Sequence, residues 1–392
     1  MEELIARFLD RYLSRQEIVH RLPVSVSISQ FWPMLVSARR ARSTELPLSD
    51  QDGQPFWFVL NDSIERQCDA IAALARREIA FSGPAFEALF QDAVVDEAVC
   101  SSAIEGAFTS REQAADLLRR NKPPRNRSEQ MVKNNYDALT YVLSHLDDPV
   151  TEETILQIAK IVTRSASEVQ VNGYRTGAVY VTGREGVVYT PPKAEAVPGM
   201  MQSLIAFIQK SDLHPLLKAC IAHFYFVYIH PFADGNGRTA RALSYMMLLQ
   251  SGYDFFRYFS ISDVIAAERG KYYRAMRNVE DSDGDMTYFI DAYSGMLFRA
   301  VEKMEHHLKY HVLAEQKLKA LENSQTLNDR QLKGAKWLLE SSDSGVTVEA
   351  WRKKYKVSAE TARRDLLVLC GCGVLTRELR GKKAVFQVCR EM

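Results

Sequence analysis

Several features that would narrow the field are missing from this chain of 392 residues. The longest apolar runs, such as Phe224–Ile229, fall far short of the ~20 residues needed to cross a bilayer, so no membrane partner is expected. Neither charge is in excess, since 50 Lys and Arg face 49 Asp and Glu. The whole molecule therefore has no field to draw it to nucleic acid or lipid, and any such partner must be read by a local patch. Cysteine is scarce. The six present (Cys68, Cys100, Cys220, Cys370, Cys372, Cys389) are scattered without zinc spacing, as expected of reduced thiols in a cytoplasm. Glu2 and Glu3 stand where a secretory leader would need a basic segment and then an apolar one, which again points to a cytoplasmic location. Internal repeats and low-complexity tracts are absent too.

What is present is ordinary globular material, 46% apolar and 25% charged, with length enough for two or three cores. Most of the chain carries a 3.6-residue apolar period, which predicts a mainly helical protein. Residues 1 to about 90 read as an N-terminal helical accessory region interrupted by a polar stretch, Ser43–Gln54. Asp92–Ile104 predicts a helix stopped at Gly106, and a basic loop, 119–127, separates it from the next helix, Ser128–Leu146. The helical period breaks at Ala178–Thr182 and Val187–Thr190, two short strands around Gly183-Arg-Glu-Gly186, which predict a β-hairpin. Asp285 to about Leu321 predicts one long or broken helix, whose part over 301–325 serves as a connector. Asn328–Ser341, Thr347–Tyr355 and Ser358–Leu369 predict three short helices, with Thr347 and Ser358 as N-caps. Val374–Val388 predicts a closing hairpin.

The densest chemistry lies in His230-Pro-Phe-Ala-Asp-Gly-Asn-Gly-Arg-Thr-Ala-Arg241. An apolar helix, Leu216–Ile229, precedes it and is stopped by Pro231; another helix begins at Arg238. Gly235 and Gly237 around Asn236 let successive backbone N–H groups turn toward one point at a helix N-terminus, an arrangement suited to phosphate. Arg238 and Arg241 share a helix face and supply fixed positive charge. Asp234 is a hard oxygen ligand of the kind that Mg²⁺ shared with a nucleotide needs. His230 is the one group nearby that can take a proton near neutral pH. Each residue alone has an ordinary reading as a cap, a core residue or a turn. Base, carboxylate, nest and two arginines within twelve residues argue jointly for phosphoryl chemistry.

This segment resembles the motif of the Fic family, His-Pro-Phe-x-Asp-Gly-Asn-Gly-Arg-x-x-Arg, at every specified position. The resemblance covers about 91–300 and implies a helical Fic domain, with transfer of AMP from ATP to a Ser, Thr or Tyr hydroxyl of a target protein, the enzyme itself included. It implies that His230 deprotonates that hydroxyl and Asp234 holds Mg²⁺. Gly235, Asn236, Gly237 and Arg238 would bind the α- and β-phosphates, Arg241 the γ-phosphate, and Phe232 would anchor the loop in the core. Other nucleotides are not strictly excluded by the motif. Family members often dimerise.

Three further segments gain meaning from the resemblance. Glu105 opposes the dipole at a helix C-terminus and shares a face with Val94, Ala98 and Ser101, so it needs a cation or else sits at a domain rim. Ser101-Ser-Ala-Ile-Glu105-Gly106 fits the family's autoinhibitory motif, which implies that Glu105 pairs with Arg241, withholds it from the γ-phosphate, and can assist removal of AMP from the target. The hairpin, with Val179, Tyr180, Val181 and Thr182, is either a plain hairpin or the family's flap, whose edge aligns the target backbone. Asn172-Gly-Tyr-Arg175 and Pro191-Pro-Lys193 beside it also resemble the family pattern. Tyr272 and Tyr273 are core tyrosines or, by their position after the motif, residues near the adenosine.

The C-terminal unit, 326–392, has the element order of a winged helix-turn-helix domain. Residues 321–392 hold 14 Lys and Arg against 9 Asp and Glu, a net +5. Ser358–Leu366 resembles the recognition helix of bacterial regulators, which makes Arg363, Arg364, Lys382 and Lys383 candidates for DNA phosphates; the alternative is a winged helix used for dimer or protein contacts. On that basis a second functional class stays open, a DNA-binding regulator whose Fic domain senses nucleotide. His307 and His311, at i and i+4, read as a solvated helix face rather than a metal pair.

Overall fold

A computed structural model describes residues 1–76, 84–183, 186–324, 326–340, 345–380 and 383–389. The chain forms two compact units, Met1–Val301 and Glu302–Met392. Among the described residues no helix is long and apolar enough to cross a membrane, and all six cysteines are free thiols.

Among its described residues the first unit is helical apart from two hairpins. It begins with α1 (Glu2–Leu9), α2 (Arg15–Val19) and α3 (Ile28–Arg40), then β1 (Thr44–Ser49), β2 (Pro55–Phe58) and α4 (Asp62–Ala75). There follow α5 (Pro84–Ile104), α6 (Arg111–Arg119), α7 (Arg127–Ser144), α8 (Glu152–Thr163), β3 (Val181–Gly183) and β4 (Gly186–Tyr189). The series closes with α9 (Val197–Lys210), α10 (Pro215–Ile229), α11 (Asn236–Gln250), α12 (Ile261–Ala267), α13 (Arg269–Glu280) and α14 (Thr287–Ser324), which carries the chain past the boundary. Helix α10 is apolar all round, so it lies at the centre of the core, with Leu216, Ile221, Phe226 and Ile229 inaccessible to solvent. Helix α11 packs beside it and buries Ala240, Leu243, Met246 and Met247.

Two expectations need correction here. The polar stretch Ser43–Gln54 is not a simple break between helices: it contains β1, paired antiparallel with β2. The signal was present, because Leu46 and Leu48 alternate inward ahead of a turn at Asp52-Gly53, where Gly53 has φ +80°. The hairpin after residue 178 is also shorter than its sequence pattern. A register shift between Val181 and Thr182 limits the ladder to Val181–Gly183 against Gly186–Tyr189, so Val179 and Tyr180 lie outside the strand.

The second unit continues through α15 (Asp329–Glu340), β5 (Gly345–Thr347), α16 (Val348–Tyr355), α17 (Ala359–Gly371), β6 (Leu375–Arg380) and β7 (Lys383–Val388). Thr347 and Ser358 each accept the backbone N–H three residues on, as N-caps do. The strands form one sheet in the order β5-β7-β6; β5 is too short for its sequence to announce it. Ala335, Leu338, Trp351, Leu366 and Phe386 form the core. A buried carboxylate, Asp365, accepts from Arg330, Gln331 and the Trp351 indole, tying α17 to α15 and α16.

Candidate active site

Helix α10 ends at His230, whose backbone is left-handed with φ 52° and ψ 58°. A non-glycine residue there is strained by roughly 1–2 kcal/mol, so its surroundings must hold it. They do. His230 N–H donates to the Phe226 carbonyl at 3.1 Å, and Arg175 Nε donates to the His230 carbonyl at 2.8 Å. Arg175 is itself buried; its other guanidinium nitrogens donate to the carbonyls of Gly177, Pro192 and Ile229, and its backbone N–H to Pro231. This residue clamps the turn that carries the histidine. A resemblance to the family pattern marked its segment, but its acceptors are all backbone carbonyls and leave no mark in the sequence.

The His230 ring is oriented by its Nδ1, 3.1 Å from the Val227 carbonyl. A carbonyl only accepts, so Nδ1 carries the proton and Nε2 keeps its lone pair. Burial pushes the imidazole pKa below its ordinary value, against the opposing pull of the Val227 carbonyl and the Glu105 charge. The ring is therefore neutral at pH 7, as a general base must be.

The following loop closes on itself. Phe232 is fully buried, its N–H donates to Asn236 Oδ1 at 2.9 Å, and Asn236 Nδ2 donates back to the Phe232 carbonyl at 2.8 Å. The Asn236 side chain thus braces the loop, and its backbone N–H is what faces outward from the helix start. Gly235 caps α11 with φ +85°, and a Cβ there would come within 2.6 Å of the Thr163 methyl. The first intrahelical bond is Thr239 N–H to the Gly235 carbonyl. The N–H groups of Asn236, Gly237 and Arg238 therefore have no intrahelical acceptor and form the positive end of α11.

Charged side chains converge on this end. Asp234 Oδ1 accepts from Gly235 N–H at 2.5 Å and from Arg238 Nη2 at 3.1 Å, while Oδ2 lies 4.0 Å from Arg127 Nη2. Arg238 is buried and also donates to the Val162 carbonyl. Arg241, one turn on, donates from Nε to Ser101 Oγ, and from Nη2 to the Ser101 carbonyl and to Glu105 Oε1, each at 2.9 Å. Burial is the largest single influence on the Arg241 pKa and would lower it, but the Glu105 carboxylate together with Tyr272 and Tyr273 outweighs it and the net shift is upward. Glu105 stands just past the end of α5, next to Gly106 in the left-handed region. Gly237 makes room for it: a Cβ there would lie 2.2 Å from Glu105 Oε1.

These groups open onto one cavity of about 610 Å³, whose walls include His230, Asp234–Arg238, Arg241, Glu105, Tyr273 and the hairpin residues Tyr180–Thr182. Its size suits a nucleotide. Tyr189 Oη donates to the Tyr228 carbonyl and pins the hairpin beside it. Tyr272 also borders the cavity but is almost wholly buried, its hydroxyl 2.7 Å from His223 Nε2; Tyr273 is half-buried under Arg269. Val179 is half-buried outside the strand and does not border the cavity. In the second unit, Arg363 and Arg364 are exposed on α17, Lys383 begins β7, and Lys382 lies outside the described residues. His307 and His311 fall on α14, their side chains outside the described set.

Residues 149–248 match the Fic/DOC family model. A protein adenylyltransferase Fic of Nematostella vectensis is 34% identical over 123 residues, which cover 30% of this chain and 28% of that protein. The protein adenylyltransferase fic-1 of Caenorhabditis elegans is 34% identical over 115 residues, 29% of this chain and 22% of that protein. The chain thus spans about a quarter of the length of these relatives. Among solved structures, a Fic family protein from Desulfovibrio desulfuricans G20 shares the fold, with TM-score 0.56, 22% identity, and coverage of 84% of this chain and 97% of that one. Fic-1 (aa134–508) of C. elegans does so with TM-score 0.52, 21% identity, and coverage of 63% and 73%.

Proposed function

We propose that this chain, which carries a Fic domain, is a protein adenylyltransferase that moves AMP from ATP to a Ser, Thr or Tyr hydroxyl of a target protein. The observation that carries this reading is the single cavity shared by His230, the unpaired N–H groups of α11, and Arg241. His230 Nε2 takes the proton of the target hydroxyl. The hydroxyl oxygen forms a bond to the α-phosphorus, the bond from that phosphorus to the bridging oxygen breaks, and pyrophosphate leaves. The N–H groups of Asn236, Gly237 and Arg238 and the Arg238 guanidinium hold phosphate oxygens, so charge developing there meets preorganised donors. The relatives named adenylyltransferase favour this product over phosphorylation.

Among the described residues no cluster of three or more His, Cys, Asp or Glu could cage a metal. Asp234, whose Oδ2 meets only the Arg127 guanidinium at 4.0 Å among the described residues, fits Mg²⁺, which binds through one or two carboxylates plus substrate phosphates. When bound, Mg²⁺ would supply charge neutralisation between phosphates. Glu105 is the inhibitory group, because Arg241 cannot serve Glu105 and a γ-phosphate at once. The exposed edge at Val181–Thr182, flanked by exposed Tyr180, Val187 and Val188, is where an extended target segment would pair.

The test uses parent, Glu105→Gly and Glu105→Gly/His230→Ala proteins with Mg²⁺, α-labelled ATP and a cell extract as target. Label strong in Glu105→Gly and absent from the double variant is expected. No label in any of the three would favour a nucleotide sensor instead, and label only from γ-labelled ATP would mean phosphorylation.

A second reading concerns the other unit. Helix α17 buries Ala362, Asp365, Leu366 and Leu369 and leaves Arg363 and Arg364 exposed, with Arg352, Lys353 and Lys354 exposed on α16. That pattern, with the element order, favours a winged helix binding duplex DNA through phosphates. Arg363→Ala/Arg364→Ala should weaken binding and flatten its salt dependence; unchanged affinity and slope would remove the reading.

A further inference from the structure

We propose that Glu97 is a positioning residue that holds α5 in the register required for inhibition; the proposal rests on the reading of Glu105 as the inhibitory group. Glu97, Ser101 and Glu105 follow one another at four-residue spacing, so they form one stripe along α5 and its end. The last two engage Arg241. The first reaches a different element: Glu97 Oε2 accepts from Ser260 Oγ at 2.8 Å and from Ser262 N–H at 2.9 Å, and Oε1 accepts from Ser262 Oγ at 2.5 Å. Glu97 is 7% exposed, and among the described residues no cation pairs with it.

A buried carboxylate without a cation is a poor source of stability, since an apolar side chain of similar volume packs as well without the desolvation. What it supplies is direction. Apolar contact on the neighbouring stretch, such as Phe86 and Phe90 against Tyr258, tolerates a helix sliding or turning. Three hydrogen bonds to two serines separated by one residue do not. A slip of one residue moves a helix by about 1.5 Å and turns it by about 100°, which takes Glu105 out of reach of Arg241. Glu105 itself sits one residue beyond the end of α5, beside a left-handed glycine, with its N–H bonded to the Ser102 carbonyl of the same helix at 3.1 Å, so its place follows that of α5. On another side of α5, Asn135 Nδ2 donates to Ser102 Oγ at 2.8 Å, a neutral bond that steadies the helix without contacting Arg241.

The experiment measures His230-dependent AMP incorporation by full-length parent, Glu97→Ala and Ser262→Ala, each with and without Glu105→Gly, together with hydrogen exchange of amides 98–106. Glu97→Ala should raise incorporation roughly five- to tenfold, the response to losing ~1 kcal/mol or more of positioning free energy. Ser262→Ala, which keeps the Ser262 N–H donor and disturbs the fold less, should raise it by a smaller factor. In the Glu105→Gly background neither change should matter by more than about twofold, because there is no inhibitory group left to place. Exchange over 98–106 should quicken while α10 and α11 keep their protection. Equal fold-changes in both backgrounds, or unaltered exchange over 98–106, would overturn the proposal. If Glu105→Gly itself incorporates no AMP, the enzymatic reading fails, and the exchange result alone decides whether Glu97 holds the helix.

Discussion

Replacing Glu105 by Gln or Gly should both destabilise the nucleotide-free protein and tighten its hold on ATP. The Arg241 side chain is 3% exposed, and among the described residues Glu105 is the one carboxylate that pairs with it, with 31% of its own side chain exposed. Removing one partner of a fully buried pair costs about 3–5 kcal/mol. Because Glu105 is a third exposed, solvent screens part of that, and ~1–2 kcal/mol is expected. In a unit of this size such a loss lowers Tm by about 2–6 °C. Bound ATP returns an anion to Arg241, so the free energy lost in the apo protein reappears as affinity, about 5- to 30-fold. Differential scanning calorimetry with and without Mg·ATP, alongside calorimetric titration, reads both quantities. Glu105→Gln keeps an oxygen facing Arg241 and should fall between parent and Glu105→Gly. An unchanged apo Tm together with an unchanged ATP affinity would refute the idea that Glu105 and a phosphate compete for Arg241.

Other outcomes follow from His230, His223 and the clamp. His230 must be neutral to act, and burial sets its pKa below 6.5; the pH profile of kcat/KM should therefore stay flat through pH 7, and its acid limb should fall below 6.5. A limb at or above 6.5 would assign it to another group. His223, with its pKa pushed down to about 3 by burial, refuses a proton that the unfolded chain takes. Stability should accordingly fall by about 1.4 kcal/mol per pH unit as pH drops below ~6.5, the loss ending near the folded value. Urea unfolding at pH 7 and pH 5 should show ~2 kcal/mol less of this loss in His223→Gln, which keeps a partner for Tyr272. Arg175→Lys cannot reproduce the fork that holds the His230, Pro192 and Ile229 carbonyls. It should lower kcat about 10- to 100-fold, through misplacement of the base, with ATP affinity largely kept.

Most of the helical architecture was legible in the sequence, and the reasons are local. A 3.6-residue apolar period, Ser and Thr caps and glycine stops depend on neighbours within one or two turns, so α7, α10, α16 and α17 could be read almost to their ends. The turn from His230 to Arg241 was legible for the same cause: a helix stop, two glycines and a helix start follow one another directly. Short strands were the weak point. The β1–β2 and β3–β4 ladders and β5 depend on a partner strand for their length, and a run of three to six residues does not announce it.

By itself the sequence determined which side chains were available to the site: one histidine, one aspartate, a pair of glycines and two arginines at fixed spacing. Tertiary structure decided what each could do. Arg241 and Glu105 are 136 positions apart, yet lie 2.9 Å from each other across a glycine with no Cβ to keep them apart. Asn236 closes its own loop, Arg175 reaches 55 positions to the His230 carbonyl, and Glu97 meets serines 163 and 165 positions away. Those pairings follow from how helices pack around α10, and burial then makes each unpaired charge costly enough that its partner matters. Periodicity can say that a face is buried; only packing says what it is buried against.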